Sequence, residues 1–298
     1  MRIDKEKLKI ACNNVHDRFK MNKYFKFSDL QEAIEKSIEL INYNTIKGKF
    51  HYYFKEGNLK LGDKVLIWSM PSGIACGCCC KGCYAQKAER QYKNSRIMRL
   101  YNMILIEYAL IDEDFKKLLQ FRMVQELKFK SVSSERVLRI HESGDFYKKE
   151  YFNFWLEIIE DLKEYKNLKI YTYTKMLSYK EIEEINNKYN NFNIISSYIL
   201  IDGKLYLNFG TSEYLDDLEK ILIKHGIKYY RCKYSTKKQK AKEENEKNGI
   251  KDMVYLKDYF KMSKKEFEIY EKAKIKEKIC MVTCFKCLNN TIVLFELH

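Results

Sequence analysis

The feature that most constrains the fold of this chain is a regular alternation of short β-rich runs with amphipathic segments between residues 64 and 232. The β-rich runs, each bounded by turn residues, lie at 64–70, 135–141, 168–175, 193–200 and 227–232. Segments with apolar residues at helical spacing lie between them, at about 85–110, 113–130, 147–165, 179–189 and 213–226. Strands that alternate with helices build βαβ units around a parallel sheet. The pattern therefore predicts an α/β fold with flanking helices.

The dipeptide Asp202-Gly203 interrupts this alternation. It stands between two β-rich runs, IISSYILI and KLYLNF, and Asp-Gly in that position is a strong signal for a two-residue β-hairpin of type I′. Since a hairpin pairs its strands antiparallel, we expect the sheet to be mixed or parallel.

The two flanks of the alternating region differ from it in composition. Residues 28–42 place apolar side chains at helical spacing behind Ser28, a typical N-cap residue, so we predict an N-terminal extension of helix and hairpin over residues 1–60. The α/β core then covers residues 61–235. Residues 236–298 are Lys/Glu-rich at first and cysteine-rich at the end. We expect this last segment to pack on the core, which gives one domain overall.

Six of the ten cysteines form two triplets with the same C-x3-C-x2-C spacing. The first triplet lies in the segment CGCCCKGCY, directly after the run at 64–70, and the second lies in CMVTCFKC near the C-terminus. The triplets are Cys76, Cys80, Cys83 and Cys280, Cys284, Cys287. Closely spaced thiols in a chain without a secretory signal favour metal binding over disulfides.

Three thiolates on one short loop can ligate three irons of a [4Fe-4S] cluster and leave the fourth iron for a substrate or a distant residue. We therefore predict one or two [4Fe-4S] clusters. Zinc is the alternative, because zinc sites built from four cysteines, or from three cysteines and a histidine, also use short-spaced thiols. Two further thiols, Cys78 and Cys79, keep the ligand choice open, since Cys79 stands at the same spacing from Cys83 as Cys76 does from Cys80.

A C-x3-C-x2-C loop after the first strand of an alternating β/α chain resembles the signature of radical S-adenosylmethionine (SAM) enzymes. The segments WSMPSGIAC, CKGCYAQKAERQY, RIHESGDFYKKEYFNFW and YTYTK, with the cysteine-rich C-terminus, resemble the phage "gene product 88" family. The resemblance implies a partial TIM-barrel-like, radical-SAM-like sheet and a cluster that works with SAM. In that signature an aromatic residue precedes the last cysteine, whereas Gly82 stands there in this chain.

The resemblance also implies where SAM would bind. Ser143, Gly144 and Asp145 correspond in position to the glycine-rich segment that receives the SAM amino group in radical SAM proteins. The alternative for this motif is turn chemistry, in which Gly144 supplies a turn with positive φ and Asp145 caps the next helix.

Further polar residues stand at the ends of predicted strands, where α/β proteins place their functional groups. His141 and Glu142 are the candidate acid-base pair, of which strand alternation lets only one face the site. Thr174 and Lys175 end the next run, and Lys175 can pair with a carboxylate or phosphate. We predict both as cofactor-binding residues. A structural histidine and a solvated lysine are the alternatives.

The chain carries 56 Lys and Arg against 41 Asp and Glu, a formal net charge of +15. Such a charge attracts polyanions, so nucleic acid is a candidate partner. No stretch approaches the roughly 20 apolar residues of a membrane span, and we expect a cytoplasmic protein without membrane contact.

Two function classes remain open from the sequence. The first is an iron-sulfur enzyme of the radical SAM type that modifies a nucleotide, a nucleic acid or a peptide. The second is a non-enzymatic protein of a phage or mobile element, stapled by zinc or a cluster, that binds nucleic acid or a host protein.

Overall fold

The computed structural model describes the chain over most of the alternating region and parts of its flanks. The ranges are 3–19, 22–42, 52–57, 64–76, 83–202, 204–207, 209–210, 212–227, 229–231 and 292–296. Eight helices lie in these ranges: α1 (Lys5–His16), α2 (Phe27–Ile41), α3 (Tyr84–Gln91), α4 (Lys93–Ala109), α5 (Glu113–Ser131), α6 (Lys149–Leu162), α7 (Tyr179–Lys188) and α8 (Ser212–Lys224).

Ten strands lie in the same ranges. They are β1 (Lys55–Glu56), β2 (Val65–Trp68), β3 (Arg136–Ile140), β4 (Leu168–Thr174), β5 (Phe192–Ser196), β6 (Tyr198–Ile201), β7 (Lys204–Leu207), β8 (Phe209–Gly210), β9 (Tyr230–Arg231) and β10 (Val293–Glu296). The first five form one sheet in the order β1-β2-β3-β4-β5, and β4 and β5 pair in parallel. The predicted mixed α/β fold with flanking helices is thus confirmed. The partial TIM-barrel arrangement stays a prediction.

The Asp-Gly signal is confirmed as a hairpin. Strands β6 and β7 pair antiparallel with Ile201 opposite Lys204, which leaves a two-residue connection. Asp202 has a φ of +50°, as the first central residue of a type I′ turn requires. The predicted strand at 193–200 is divided at Ser197 into β5 and β6. The N–H of Ser197 donates to the carbonyl oxygen of Thr174 at 2.9 Å.

The predicted helix at 85–110 is also divided, into α3 and α4. Tyr92 between them has an extended backbone, with φ −120° and ψ 107°. The guanidinium of Arg96 donates through Nη1 to the carbonyl oxygen of Glu89 at 2.6 Å, and its Nε donates to Asp29 at 2.7 Å. These bonds satisfy a carbonyl that a continuous helix would satisfy through its own backbone, so the chain can turn at Tyr92.

The chain divides into two units, Met1–Lys55 with Ile67–Lys169, and Glu56–Leu66 with Ile170–His298. In the first unit α1 and α2 pack against α4. Its core contains the rings of Phe54, Trp68 and Trp155, and the two indoles meet edge to face at 5.9 Å. In the second unit Leu215, Leu218 and Leu222 of α8 pack around Ile292. The first unit holds the site that is described next.

Candidate functional site

Cys76 and Cys83, the two ends of the first cysteine triplet, are both half-buried. Cys76 lies in the turn that follows β2, and its N–H donates to the carbonyl oxygen of Gly73 at 3.2 Å. Cys83 is the N-cap residue of α3, which begins at Tyr84. Cys78, Cys79, Cys80 and the C-terminal triplet Cys280, Cys284 and Cys287 lie outside the residues that the structure describes. Within those residues, no three His, Cys, Asp or Glu side chains form a group suited to a metal ion.

The turn before Cys76 is joined to the segment SGD that follows β3. The N–H of Met70 donates to the carbonyl oxygen of Ser143 at 2.9 Å, and the N–H of Asp145 donates to that of Ala75 at 3.0 Å. The N–H of His141 donates to the carbonyl oxygen of Trp68, the last residue of β2, at 2.9 Å. The structure therefore brings together two motifs that are about 70 residues apart in sequence, at the carboxyl ends of neighbouring strands.

Gly144 is at a position that only glycine fits. Its φ is +88°, and a Cβ atom there would lie 2.5 Å from the Cβ of the buried Met70. The predicted positive-φ turn is thus present. Asp145 does not cap the following helix: α6 begins after Lys148, and the Asp145 carboxylate accepts from the N–H of Phe146 at 2.7 Å.

The buried carboxylate of Glu89 links the two ends of the loop that carries the first cysteine triplet. Glu89 of α3, which is fully buried, accepts hydrogen bonds from the N–H of Ser72 at 2.9 Å and from its hydroxyl. It also accepts from the side chains of Asn22 at 2.7 Å and Arg99 at 2.8 Å. Ser72 stands four residues before Cys76, and Glu89 stands six residues after Cys83. These hydrogen bonds join the turn before the cysteine loop to the helix after it. We call this set of residues the Glu89 network (Asn22, Ser72, Glu89, Arg99).

The N-terminal extension supplies part of this framework. Asn22 donates to both the hydroxyl and the carbonyl oxygen of Ser72, at 3.1 and 3.0 Å. Asp29 of α2 pairs with Arg96, which holds the carbonyl of Glu89. None of these residues belongs to a functional motif that is visible in the sequence. A buried Asn, Asp or Glu at such positions carries no sequence signal that distinguishes it from a residue on a solvated helix face.

His141 is buried, and its backbone has the left-handed φ of +64°. Its Nε2 lies 2.9 Å from the hydroxyl of Tyr151, which also accepts from the indole N–H of Trp68 at 2.9 Å. Burial, with a smaller contribution from the charge of Arg139, lowers the pKa of His141 to about 3. The imidazole is therefore neutral at physiological pH. Glu142, the other member of the predicted pair, is half-buried.

Three buried polar atoms of uncharged side chains near the ends of β2 and β3 have no hydrogen-bond partner among the residues that the structure describes. They are the hydroxyls of Ser69 and Ser143 and the side-chain oxygen of Asn102. All three side chains are buried, and Asn102 is fixed by its donation to the carbonyl oxygen of Ser69 at 2.9 Å. Buried polar groups normally bind water or a ligand when the protein offers no partner. These three atoms are therefore open to a hydrogen-bond partner from outside the described residues.

The predicted cofactor residues Thr174 and Lys175 belong to the second unit. Thr174 is buried at the end of β4, and its hydroxyl oxygen accepts from the N–H of Met176 at 3.0 Å. Lys175 is exposed. Their role as cofactor ligands stays a prediction.

The fold and the site define a mixed α/β protein in which the turn before Cys76 is hydrogen-bonded to the segment that follows the next strand of the sheet. A family model described as Gene product 88 matches residues 41–214, more than half of the chain. The chain belongs to the gene product 88 family. The match includes the first cysteine triplet and the SGD segment, whereas the second triplet lies beyond it.

No curated protein and no solved structure matches the chain. Within the part of the chain that the structure covers, no helix combines the length and the hydropathy that a membrane-spanning segment requires.

Proposed function

We propose that this chain is an iron-sulfur protein that binds a [4Fe-4S] cluster through Cys76, Cys80 and Cys83 and uses it to cleave SAM reductively. The observation that carries the proposal is the hydrogen bond from the N–H of Asp145 to the carbonyl oxygen of Ala75, at 3.0 Å. It fixes the SGD segment beside the residue that precedes Cys76. A cofactor bound by the first motif is therefore close to ligands from the second.

The donor set fits a cluster of this kind. Cys76 and Cys83 are soft thiol ligands on a loop, and both are half-buried, which limits access of solvent to a bound cluster. The Glu89 network fastens the two ends of that loop without help from a metal. Because these bonds come from the protein itself, they favour a functional role for the thiols over a role in holding the loop.

The cluster would supply one electron and an open iron position for SAM, as the resemblance to radical SAM enzymes implies. The groups available to hold SAM are the backbone of Gly144, the carboxylate of Asp145 and the hydroxyl of Ser143, which has no partner among the described residues. Thr174 and Lys175 are further predicted ligands. We assign proton handling to Glu142 rather than to His141, because the buried His141 stays neutral with its Nε2 beside Tyr151.

We propose a nucleotide, a nucleic acid or a peptide as the substrate. The net charge of +15 supports a polyanionic partner. The barrel-type arrangement is likewise part of the proposal. The sequential strand order β1-β2-β3-β4-β5 supports it, because each strand of such a barrel pairs with the next one along the chain.

The test is the content of iron, zinc and acid-labile sulfide in protein purified without oxygen. We expect iron and sulfide in the native chain and the loss of one cluster in the variant Cys76→Ala/Cys80→Ala/Cys83→Ala. The matched control is Cys12→Ala, a half-buried cysteine that stands alone in the sequence. The C-terminal variant Cys280→Ala/Cys284→Ala/Cys287→Ala reports whether a second cluster is present. Formation of 5′-deoxyadenosine after reduction with dithionite then tests SAM cleavage.

Zinc without sulfide would exclude the proposed enzyme and favour the second candidate, a zinc-stapled protein that binds nucleic acid. The observation behind this candidate is the excess of 15 positive charges. Its test is binding to DNA and RNA at several salt concentrations. A steep fall in affinity with salt is expected if Lys and Arg neutralise phosphates, because such contacts release counterions.

A further inference from the structure

A cavity of about 300 Å³ lies in the first unit between α1 and the segment after β3. Its lining is entirely polar and carries both signs of charge: Asn14, Asp17, Arg18, Glu107 and Lys148. Ligand cavities in proteins are usually apolar with a few polar groups. This one therefore suits a small ligand that is itself charged.

Glu107 is the fixed carboxylate of the cavity. It is buried, and it accepts from the side chains of Asn14 at 2.9 Å, Tyr147 at 2.8 Å and Lys148 at 2.9 Å. Burial raises the pKa of Tyr147 well above its ordinary value, so the hydroxyl keeps the proton that it donates. Three donors from two parts of the chain thus hold both carboxylate oxygens in place.

Arg18 is the cation with free binding capacity. Its Nη1 donates to the carbonyl oxygen of Ile74 at 3.3 Å, and its guanidinium lies over the ring of Tyr147, 4.9 Å from the centre. Within the described part of the chain, its Nε and Nη2 make no hydrogen bond. A guanidinium that is held in place and still has N–H groups to offer is the group that proteins use to bind a carboxylate through two hydrogen bonds.

We propose that this cavity binds a small zwitterion with a carboxylate and an ammonium group, which is a free amino acid or a molecule with the same end group. Arg18 binds the carboxylate, and Asp17 with Glu107 binds the ammonium. A multiply charged anion such as phosphate fits less well, because the two carboxylates and the two cations of the lining leave the cavity without net positive charge. The proposal goes beyond the cluster chemistry and does not depend on it. The cavity is nevertheless close to the cysteine loop, since Ile74 stands two residues before Cys76.

The experiment is isothermal titration calorimetry on the full chain, purified without oxygen, with glycine, L-glutamate, L-methionine and L-lysine. Acetate and methylammonium are the probes that carry one charge only. We expect at least one amino acid to bind with a Kd below about 10 mM and both single-charge probes to bind at least about tenfold more weakly. The variant Arg18→Gln should weaken amino-acid binding by about tenfold to a hundredfold.

The matched control is Lys9→Gln, a change of the same charge on the exposed face of α1. It should bind as the native chain does. Asp17→Asn is a second variant, because its exposed side chain leaves folding intact, and it should weaken binding of amino acids but not of acetate. The proposal is overturned if no amino acid binds below about 10 mM, if acetate binds as tightly as the amino acids, or if Arg18→Gln binds like the native chain.

Discussion

The carboxylate of Glu89 accepts a hydrogen bond from the backbone N–H of Ser72 at 2.9 Å, and this bond ties the helix after Cys83 to the turn before Cys76. The same carboxylate pairs with Arg99 at 2.8 Å, and both side chains are almost fully buried. The residues that precede and follow the cysteine loop are thus held close to each other by hydrogen bonds. The proposed cluster would then bind at a base that hydrogen bonds of the protein already hold in place.

Glu89→Gln should destabilise the protein by about 3–5 kcal/mol, because it leaves the buried Arg99 without its counter-charge. Urea unfolding measures this loss. The same variant should increase alkylation of Cys76 and Cys83, as detected by mass spectrometry, because the base of the loop opens.

The control for this change is Glu35→Gln on the exposed face of α2, which should change the free energy of unfolding by no more than about 0.5 kcal/mol. Equal stability of the two variants would show that the Glu89 network does not hold the loop.

Gly144→Ala should cost about 2–5 kcal/mol in the free energy of unfolding. The new Cβ would lie 2.5 Å from the Cβ of Met70, and the residue would keep a φ of +88°. Gly226→Ala is the control, since Gly226 also has a positive φ, +66°, but has open space around it. It should cost only about 1–2 kcal/mol, from backbone strain alone. Similar losses in the two variants would mean that the SGD segment does not pack closely on Met70.

The stability of the protein should depend on His141 below pH 6.5. The pKa of this residue is about 3 in the folded state and about 6.5 in the unfolded chain, so protons bind the unfolded state preferentially. The contribution of His141 is full above pH 6.5 and is lost as the pH falls from 6.5 toward 3, at about 1.4 kcal/mol per pH unit.

Urea unfolding of the native chain and of His141→Asn at pH 7, 6 and 5 isolates this effect. Asparagine does not titrate, and it tolerates a left-handed backbone. The native chain should lose stability more steeply than the variant between pH 6 and pH 5. Parallel pH profiles would contradict the burial of a neutral imidazole.

Cys12 should react slowly with iodoacetamide in the folded protein. Burial raises the pKa of its thiol to about 11, and only the thiolate is reactive. Alkylation of the peptide that contains Cys12, followed by mass spectrometry, should be about a hundredfold slower at pH 8 than in the unfolded chain, and should rise about tenfold per pH unit up to pH 10. A rate that does not change with pH would be inconsistent with this burial.

The elements of the fold were largely predictable because their signals are local. Apolar spacing predicted the helix at 28–42, and the structure has α2 at Phe27–Ile41. The N-terminal boundary of this helix was less predictable. Ser28 was the predicted N-cap residue, but it lies inside the helix. The N-cap residue is Lys26, whose N–H donates to the side chain of Asp29 at 3.0 Å. The division of 85–110 into α3 and α4 was missed, because it depends on Arg96 and its contact with Asp29, 67 residues away.

The sequence by itself determined the class of the fold, the hairpin at Asp202-Gly203 and the two motifs around Cys76 and Gly144, because periodicity, turn residues and ligand spacing are properties of neighbouring residues. Only the tertiary structure decided that these motifs meet through the hydrogen bond between Asp145 and Ala75, and that Glu89 closes the loop. Contacts between distant residues depend on how strands and helices pack. The sequence does not distinguish a glutamate that becomes buried from one that stays exposed, because only the packing of the folded chain removes the carboxylate from water.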